Sequence, residues 1–271
     1  MSEHIAFIGG GNMASAIIGG LIKQGMKPGQ ISVVEPFAEA RDRLKAQFGL
    51  QALKHPTAEL TPASLVVWAV KPQTFKAAAQ ATRAHTAAAL HLSVAAGIRS
   101  DSIAHWLGTE RVVRAMPNTP ALVGLGMTAL FGRTAVTTAD RQAVEKVIAP
   151  TGKFLWLDAE AQLDAVTALS GSGPAYVFYF LEAMTHAGVE MGLSHAQAHL
   201  LAVQTFVGAS ALASASEESP ETLRQRVTSK GGTTYAAITA MDEKQVKPHF
   251  EQALHAACRR AKELGDEFGA A

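Results

Sequence analysis

A glycine-rich turn directly after an apolar strand is the feature that most restricts the fold of this chain. Ile5–Ile8 is a short β-branched and aromatic run, and Gly9–Ala14 follows it with the pattern G-x-G-x-x-A. In this pattern Gly9 permits a tight turn, Gly11 lets the backbone approach a pyrophosphate, and Ala14 lets a helix pack closely on the strand. Phosphates are favoured at a helix N-terminus, where free N–H groups point outward. The pattern predicts a dinucleotide-binding turn, and its alternative is a glycine turn that serves packing alone.

The following residues alternate between strand and helix patterns. Apolar runs predict strands at Ile31–Glu35, Leu65–Val70, His91–Val94, Val112–Ala115, Met127–Phe131 and Phe154–Leu157. Amphipathic patterns predict helices up to about Gln24, at Ala38–Phe48 and at Ala139–Ile148. Strands that alternate with helices favour a parallel, doubly wound sheet. Leu65–Val70 is apolar at every position, as expected of a strand with both faces covered.

The pattern changes after about Leu163, and the remaining segments predict helices only. They are Pro174–Met191, Ala196–Ala215, Pro220–Arg226, Tyr235–Met241 and Val246–Phe268. We therefore predict two domains that pack directly. Residues 1–160 form a dinucleotide-binding α/β domain, and residues 161–271 form a helical domain.

Composition excludes several classes of protein. The chain has 24 Lys+Arg and 23 Asp+Glu, a net charge of +1, which gives no electrostatic attraction to nucleic acid or anionic membranes. A single cysteine, Cys258, excludes an internal disulfide and a multi-Cys cluster. Met1–His4 carries no targeting signal, so we expect a cytoplasmic protein. Only 17% of residues are charged, which predicts a large core or a surface that another subunit covers. Ala198–Ala215 is the most apolar stretch, and we interpret it as a helix buried in protein rather than in lipid.

Ligands of parallel sheets bind at the carboxyl ends of the strands, and candidate cofactor contacts lie there. Glu35 ends the second strand, where an acidic side chain holds ribose hydroxyls and disfavours a 2′-phosphate; its alternative is a solvated carboxylate. Lys71 follows Leu65–Val70, counted as the fourth strand, and is either a phosphate or ribose contact or a solvated lysine. The candidate cofactor residues are Ile8, Gly9, Gly10, Gly11, Asn12, Met13, Glu35, Ala69, Val70, Lys71, Pro72, Ala95, Ala96, Gly97 and Asn118.

Asn118 stands between two prolines after the strand Val112–Ala115. Pro117 and Pro120 predict a rigid, non-helical turn at Asn118 and Thr119. An amide at this position suits a nicotinamide carboxamide. The alternative is an ordinary asparagine turn.

A second glycine-rich turn, Ser170–Tyr176, opens the helical region. The β-hydroxyacid dehydrogenases also join a dinucleotide-binding domain to a helical one. They place a catalytic lysine four residues after the second glycine of a similar turn, and that position is Val177 here. Without this lysine the usual proton shuttle of alcohol–ketone chemistry is missing.

The segment Val227–Thr234 combines two glycines with four hydroxyl residues before a predicted helix. It predicts a second anion site, suited to a small carboxylate, and its alternative is a helix cap alone. His195 and His199 have the spacing of zinc ligands but lack a Glu or Cys partner, so we interpret them as surface residues and predict no metal site.

Together these residues resemble the pyrroline-5-carboxylate reductase family along nearly the whole chain. The most specific blocks are Phe7–Met13, Ala69–Pro72, Arg114–Pro120, Ser170–Tyr176 and Ser229–Thr234. The resemblance implies an N-terminal Rossmann-type domain and an all-helical dimerisation domain. It implies reduction of 1-pyrroline-5-carboxylate to L-proline, the last step of proline biosynthesis, with NADPH or NADH. It also implies a homodimer whose helical domains interlock. In many members of the family, such dimers assemble into decamers.

The resemblance also assigns residues to the substrate. In the family, a glycine–threonine loop holds the substrate carboxylate. Thr234 matches the threonine near the ring nitrogen of the substrate, so Thr234 is the candidate catalytic residue. The implied substrate-binding residues are Glu217, Val227, Ser229, Gly231, Gly232, Thr233 and Thr234. Glu35 stands where many relatives have Ser or Asn, and Lys230 replaces a frequent proline. Two alternatives remain open: a dehydrogenase of a small hydroxy acid, and a non-catalytic NAD(P)-binding regulatory protein.

Overall fold

The computed structural model describes residues 4–269, so part of Met1–His4, on which the absence of a targeting segment is predicted, lies outside the described residues. The chain forms two compact units, one drawn from Met1–Ser172 with Ala257–Ala271 and the other from Gly173–Ala256. The division into domains at residue 160, which follows the change from strands to helices, remains a prediction.

The first unit contains a seven-stranded sheet in the order β2-β1-β3-β4-β5-β6-β7. The strands are β1 Ile5–Ile8, β2 Ile31–Val34, β3 Leu65–Trp68, β4 Leu90–Ser93, β5 Val112–Met116, β6 Gly126–Gly132 and β7 Gly152–Trp156. Every strand predicted from an apolar run is present. Leu65–Val70, counted as the fourth strand, corresponds to the third and ends at Trp68.

The last two strands depart from the predicted parallel arrangement. β2, β1, β3, β4 and β5 are parallel, but β6 pairs with β5 in the antiparallel direction, and β7 is parallel to β6. Only residues 117–125 connect β5 to β6. A parallel crossover requires about a dozen residues or more, so this connection forces the chain to reverse.

Helices cover both faces of the sheet and form the second unit. The α-helices are α1 Asn12–Lys23, α2 Ala38–Phe48, α3 Pro72–Thr86, α4 Ser100–Leu107, α5 Thr138–Ile148, α6 Gln162–Val166, α7 Gly173–Glu190, α8 His195–Ala215, α9 Pro220–Arg226, α10 Thr233–Glu243 and α11 Val246–Gly269. Short 3-10 turns occur at Pro28–Gln30, Ala58–Leu60, Thr119–Val123 and Ala149–Thr151, and a π-turn at Thr167–Gly171.

The core of the first unit lies in two layers, one on each face of the sheet. Along β1, Ile5 and Phe7 join one apolar cluster, and Ala6 and Ile8 join the other. All four side chains are buried. Burial on both faces explains why the central strands are continuous apolar runs rather than alternating ones.

The second unit leaves much of its apolar surface uncovered within one chain. α7 and α8 approach closely at Gly188 and Ala198. A Cβ added to Gly188 would lie 2.8 Å from the Cβ of Ala198. The large apolar side chains that remain exposed on these helices include Phe178, Tyr179, Met184, Leu200, Leu201, Val207 and Leu212. α8 has the length and composition of a membrane-spanning helix, and only 11% of its apolar window is buried. The predicted burial of Ala198–Ala215 therefore requires something outside a single chain.

A buried histidine links two strands of the first unit. His91 on β4 is 1% exposed, and its Nδ1 accepts a hydrogen bond of 3.1 Å from Trp68 Nε1 on β3. Burial lowers the pKa of His91 from 6.5 to about 4; the bond to the Thr86 backbone opposes this, and the charge of Arg111 adds to it. His91 is therefore neutral at pH 7, which leaves Nδ1 free to accept.

We predict that His91 makes the folded state sensitive to acid. As pH falls from 6.5 towards 4, the unfolded chain binds a proton that folded His91 excludes, so stability is lost over that range. At about 1.4 kcal/mol per pKa unit, the loss reaches roughly 3 kcal/mol near pH 4. Urea unfolding of wild type and His91→Asn between pH 7 and pH 4 measures it. The variant should lack this part of the slope, while exposed His105→Asn should keep it; equal slopes for wild type and His91→Asn would contradict the assignment.

Candidate active site

The Gly9 turn brings the backbone of two strands close to the start of a helix. Gly9 has φ +98°, and a Cβ there would lie 2.5 Å from the carbonyl oxygen of Ala69. Its N–H donates to Val34 O at 2.8 Å. Helix α1 then begins with Gly11 as an N-cap that offers no side-chain hydrogen bond. The N–H groups of its first turn, which includes Asn12 and Met13, therefore have no side-chain cap among the described residues. Free N–H groups at a helix N-terminus are the arrangement that receives a phosphate.

Glu35 is tied to the glycine turn. Its Oε2 accepts from Gly10 N–H at 2.8 Å, and its Oε1 accepts from Phe37 N–H at 2.9 Å. The residue is 6% exposed, so the carboxylate is buried and bonded rather than solvated. Arg41 Nη1 donates to the carbonyl oxygens of Glu35 and Pro36 at 3.0 and 2.7 Å. These bonds fix the end of β2 beside the turn that follows β1.

A cleft of about 1020 Å³ opens beside these residues. It is lined by Ile8, Gly9, Gly11, Glu35, Ala69, Val70 and Lys71 among the predicted cofactor residues. Three basic side chains that the sequence analysis did not select also line it: Arg43, Lys54 and His55. The volume matches the upper range of small-molecule sites, so the cleft is large enough for half of a dinucleotide.

The segment Ala69–Pro72 extends the cleft wall. Ala69 N–H donates to Ile8 O at 2.8 Å, which holds the segment against the end of β1. Lys71 is the N-cap residue of α3 and Pro72 occupies the first turn, where a missing N–H costs nothing. The side chain of Lys71 is exposed at the cleft, so the structure retains both interpretations of this lysine.

Ala95, Ala96 and Gly97 follow β4, outside the lining of that cleft but at the same sheet edge. The strand order places their loop next to the one after β3. Ala95 N–H donates to Ser93 Oγ at 3.3 Å. Gly97 has φ +72°, and a Cβ there would lie 3.3 Å from Leu264 and from Phe268 on α11. The loop is thus packed against the last turns of that helix.

Asn118 follows β5, and its amide is engaged at both ends. Its Oδ1 accepts from Met127 N–H at 2.9 Å, and its Nδ2 donates to Ser170 O and Oγ at 3.2 and 3.3 Å. The predicted non-helical turn is correct for Asn118, which is extended, but wrong for Thr119, which starts a 3-10 helix. Pro120 suits the first turn of such a helix. The contact of Asn118 with nicotinamide remains a prediction.

The candidate substrate loop lies in the second unit before α10. Gly231 has φ +75°, and Gly232 N–H donates to Ser229 O at 3.0 Å, which closes a tight turn. Gly232 is the N-cap of α10, and neither a capping side chain nor an acidic residue occupies the first turn, which includes Thr233 and Thr234. The described residues therefore leave a second uncapped helix N-terminus. Val227 is exposed before this loop, and Glu217 is exposed between α8 and α9.

The residues set aside as surface features lie as follows. The rings of His195 and His199 stack 6.3 Å apart on the exposed side of α8. Cys258 is a free thiol on α11, partly buried. Within residues 4–269 no group of three His, Cys, Asp or Glu side chains is placed to hold a metal ion.

Two family models match the chain. Residues 160–264 match the model described as pyrroline-5-carboxylate reductase dimerisation. Residues 4–97 match the model described as NADP oxidoreductase, coenzyme F420-dependent. The first match coincides with the helical region that exposes apolar side chains, and the second contains the Gly9 turn and Glu35.

Relatives match the whole length of the chain. The pyrroline-5-carboxylate reductase of Pseudomonas aeruginosa is 45% identical over 270 residues, which are 99% of each chain. The structure of a pyrroline-5-carboxylate reductase from Coxiella burnetii is 38% identical, with a TM-score of 0.90 over 97% of this chain and 99% of that one. The Plasmodium falciparum pyrroline carboxylate reductase with NADP bound is 26% identical, with a TM-score of 0.88 over 97% and 98%.

We predict that Gly9→Ala weakens NADPH binding by at least about tenfold, a loss of about 1.4 kcal/mol or more. The added Cβ would meet the Ala69 carbonyl at 2.5 Å and displace the turn. Gly25→Ala is the matched control, because Gly25 has the same φ of +98° but open space around it. NADPH titration followed by nicotinamide fluorescence measures both. Equal affinities of the two variants would show that close approach at Gly9 does not matter.

Proposed function

We infer, from the premise that this chain belongs to the pyrroline-5-carboxylate reductase family, that its two uncapped helix N-termini hold the anionic groups of its two ligands. The chain reduces 1-pyrroline-5-carboxylate to L-proline with NAD(P)H, the last step of proline biosynthesis. The observation that carries the family is 45% identity along 99% of the chain. The assignment of residues below is our proposal.

The residues of the first unit fit a dinucleotide. Gly9 and Gly11 leave room for the pyrophosphate at the N-terminus of α1, and the cleft beside Glu35 receives the adenosine end. Ala95, Ala96, Gly97 and Asn118, at the ends of the next strands, receive the nicotinamide end. When bound, the cofactor supplies a hydride. The protein's part is to fix the ring, and positioning of this kind contributes on the order of 7–11 kcal/mol to a barrier.

The loop of the second unit fits a small carboxylate. Backbone N–H groups at the start of α10 donate hydrogen bonds to the substrate carboxylate, and Ser229, Gly231 and Gly232 shape the turn. A protonated cyclic imine is already electrophilic, so hydride adds without a strong general acid, which agrees with Val177 at the position of the dehydrogenase lysine. The N–H of the protonated imine donates a hydrogen bond to the Thr234 hydroxyl oxygen, which orients the ring. Glu217 and Val227 complete the proposed substrate contacts.

Thr234→Ala tests the proposed catalytic role. Loss of one hydrogen bond to a charged or developing group should lower kcat/KM for pyrroline-5-carboxylate by about one to two orders of magnitude. Thr239→Ala is the control, because it removes the same atoms from an exposed position beyond the first turn of α10. Steady-state kinetics at fixed NADPH measures both. Kinetics of Thr234→Ala equal to those of the control would remove Thr234 from the reaction.

We further propose a preference for NADH over NADPH. Glu35 lies buried at the cleft and carries a negative charge where a 2′-phosphate would lie. Arg43, Lys54 and His55 line the same cleft and reduce this repulsion. The preference is therefore modest, and both cofactors support turnover.

Glu35→Gln should raise the ratio of kcat/KM with NADPH to that with NADH by about tenfold, an effect of about 1.4 kcal/mol. The amide removes the charge and keeps an acceptor oxygen for one of the Gly10 and Phe37 N–H groups, while the other loses its acceptor. The ratio of the two cofactors is therefore the readout, because loss of this bond affects binding of both. Glu39→Gln is the control, because Glu39 is an exposed carboxylate that lines the same cleft. An unchanged ratio in Glu35→Gln, or a wild type that prefers NADPH, would contradict the proposal.

The chain forms homo-oligomers and acts on a small molecule. We propose that the dimer forms through residues 161–271 and that dimers assemble into decamers, while residues 1–160 bind the cofactor. The dimerisation match at 160–264 supports this division, as do the exposed apolar side chains of α7 and α8. A second copy then covers α8 in place of lipid. We also propose that the protein is cytoplasmic and binds neither nucleic acid nor membranes, and the near-neutral charge supports the second part.

Light scattering should give a mass of at least twice 28.5 kDa. Leu201→Glu, which places a charge on the exposed apolar face of α8, should lower that mass because burying an unpaired charge is costly. Phe37→Glu, at a still more exposed position beside the cleft of the first unit, should leave the mass unchanged. A monomeric wild type would contradict the proposed dimer.

A further inference from the structure

A carboxylate distant in sequence caps helix α4. Glu160 lies between β7 and α6; its Oε1 accepts from Ser100 N–H at 2.6 Å, and its Oε2 accepts from Ser100 Oγ at 2.5 Å. Ser100 is the first residue of α4, and the preceding residue, Arg99, provides no side-chain cap. A carboxylate at a helix N-terminus satisfies a free N–H and is favoured by the helix dipole. Glu160 thus performs the role that the N-cap side chain usually performs.

Glu160 is also paired with a buried cation. Arg114 Nη1 on β5 donates to Glu160 Oε1 at 2.6 Å, and Arg114 is 8% exposed. Arg133 Nη1, just after β6, donates to Ser100 Oγ at 3.1 Å. Removal of Glu160 would leave the buried charge of Arg114 without this partner, so the pair holds both groups in place. The cluster joins β5, β6, the start of α4 and the chain before α6.

The position of Ser100 gives this cluster a functional consequence. Ser100 ends the loop of residues 94–99, which follows β4 and contains Ala95, Ala96 and Gly97. At its start the loop is held by the bond from Ala95 N–H to Ser93 Oγ, and in its middle by the packing of Gly97 on α11. Glu160 supplies the fixed point at its end. Because glycine has the greatest backbone freedom of any residue, we expect a displacement of Ser100 to change the backbone at Gly97, among the residues proposed to receive nicotinamide.

We propose that Glu160 is a positioning residue for the nicotinamide end of the cofactor. It caps α4 and pairs with Arg114, and through Ser100 it holds the loop of residues 94–99 in its binding conformation. Both carboxylate oxygens of Glu160 are bonded to Ser100 and Arg114, so we assign its effect to the loop and not to contact with the cofactor. The proposal rests on the assignment of Ala95, Ala96 and Gly97 to the cofactor.

The test measures the dissociation constant of NADPH in the intact oligomer by nicotinamide fluorescence, together with the KM of pyrroline-5-carboxylate. Glu160→Gln keeps an oxygen for Ser100 N–H and loses the charge, and we expect three- to tenfold weaker NADPH binding with less than a twofold change in that KM. Glu160→Ala should show a larger effect in the same direction. Ser100→Ala, which removes only the hydroxyl, should weaken NADPH binding two- to fivefold. If Glu160→Ala does not fold, Ser100→Ala and Glu160→Gln together provide the test.

Two controls separate the possible failures. Glu110→Gln removes a carboxylate that pairs with Arg133 at 2.7 Å at the exposed side of the same cluster, and it should leave NADPH binding unchanged. Ala96→Leu adds bulk to the exposed surface of the loop and should weaken NADPH binding if the loop contacts the cofactor. If Ala96→Leu weakens binding and the Glu160 variants lower only the melting temperature, the positioning role is overturned. If neither weakens binding, the assignment of the loop itself is wrong.

Discussion

The contact between the Gly9 turn and its two neighbouring strands determines where the proposed cofactor site lies. Gly9 N–H bonds to the end of β2, and its α-carbon lies so close to Ala69 after β3 that a side chain does not fit. Glu35 secures the adjoining Gly10 N–H. With these bonds made, α1 starts beside the ends of β2 and β3, and its first-turn N–H groups have no capping side chain among the described residues. The cleft, the loops after β3 and β4, and the role of Glu35 all follow from that placement.

The same physical solution occurs in both units. α1 and α10 each begin after a glycine N-cap with no capping side chain among the described residues. An uncapped helix N-terminus attracts an anion through backbone N–H groups and the helix dipole, without a cationic surface. The proposed assignment of the two sites explains how a chain with a net charge of +1 binds two anionic ligands. The low fraction of charged residues, 17%, has a separate proposed cause: the exposed apolar face of α7 and α8, which we propose a second copy covers.

Local patterns in the sequence were sufficient to predict the strands and most of the helices, because burial on both sheet faces leaves continuous apolar runs. They also located the Gly9 turn and the loop before α10, because the glycines there are required by the local turn of the backbone. They did not predict the reversal at β6, which depends on the length of one connection. Nor did they find Glu160, whose partners are far away in sequence, or the bonds of Asn118 to Ser170. In one chain α8 is exposed. Whether it is covered depends on assembly, which the periodicity of the sequence does not indicate.

The most direct test of this account is a crystal structure of the protein with NADPH and L-proline bound. The account predicts pyrophosphate oxygens within hydrogen-bond distance of the first-turn N–H groups of α1. It also predicts the proline carboxylate at the first-turn N–H groups of α10, with the ring nitrogen beside the Thr234 hydroxyl. A proline carboxylate held by lysine or arginine side chains, or a pyrophosphate bound away from the Gly9 turn, would contradict it.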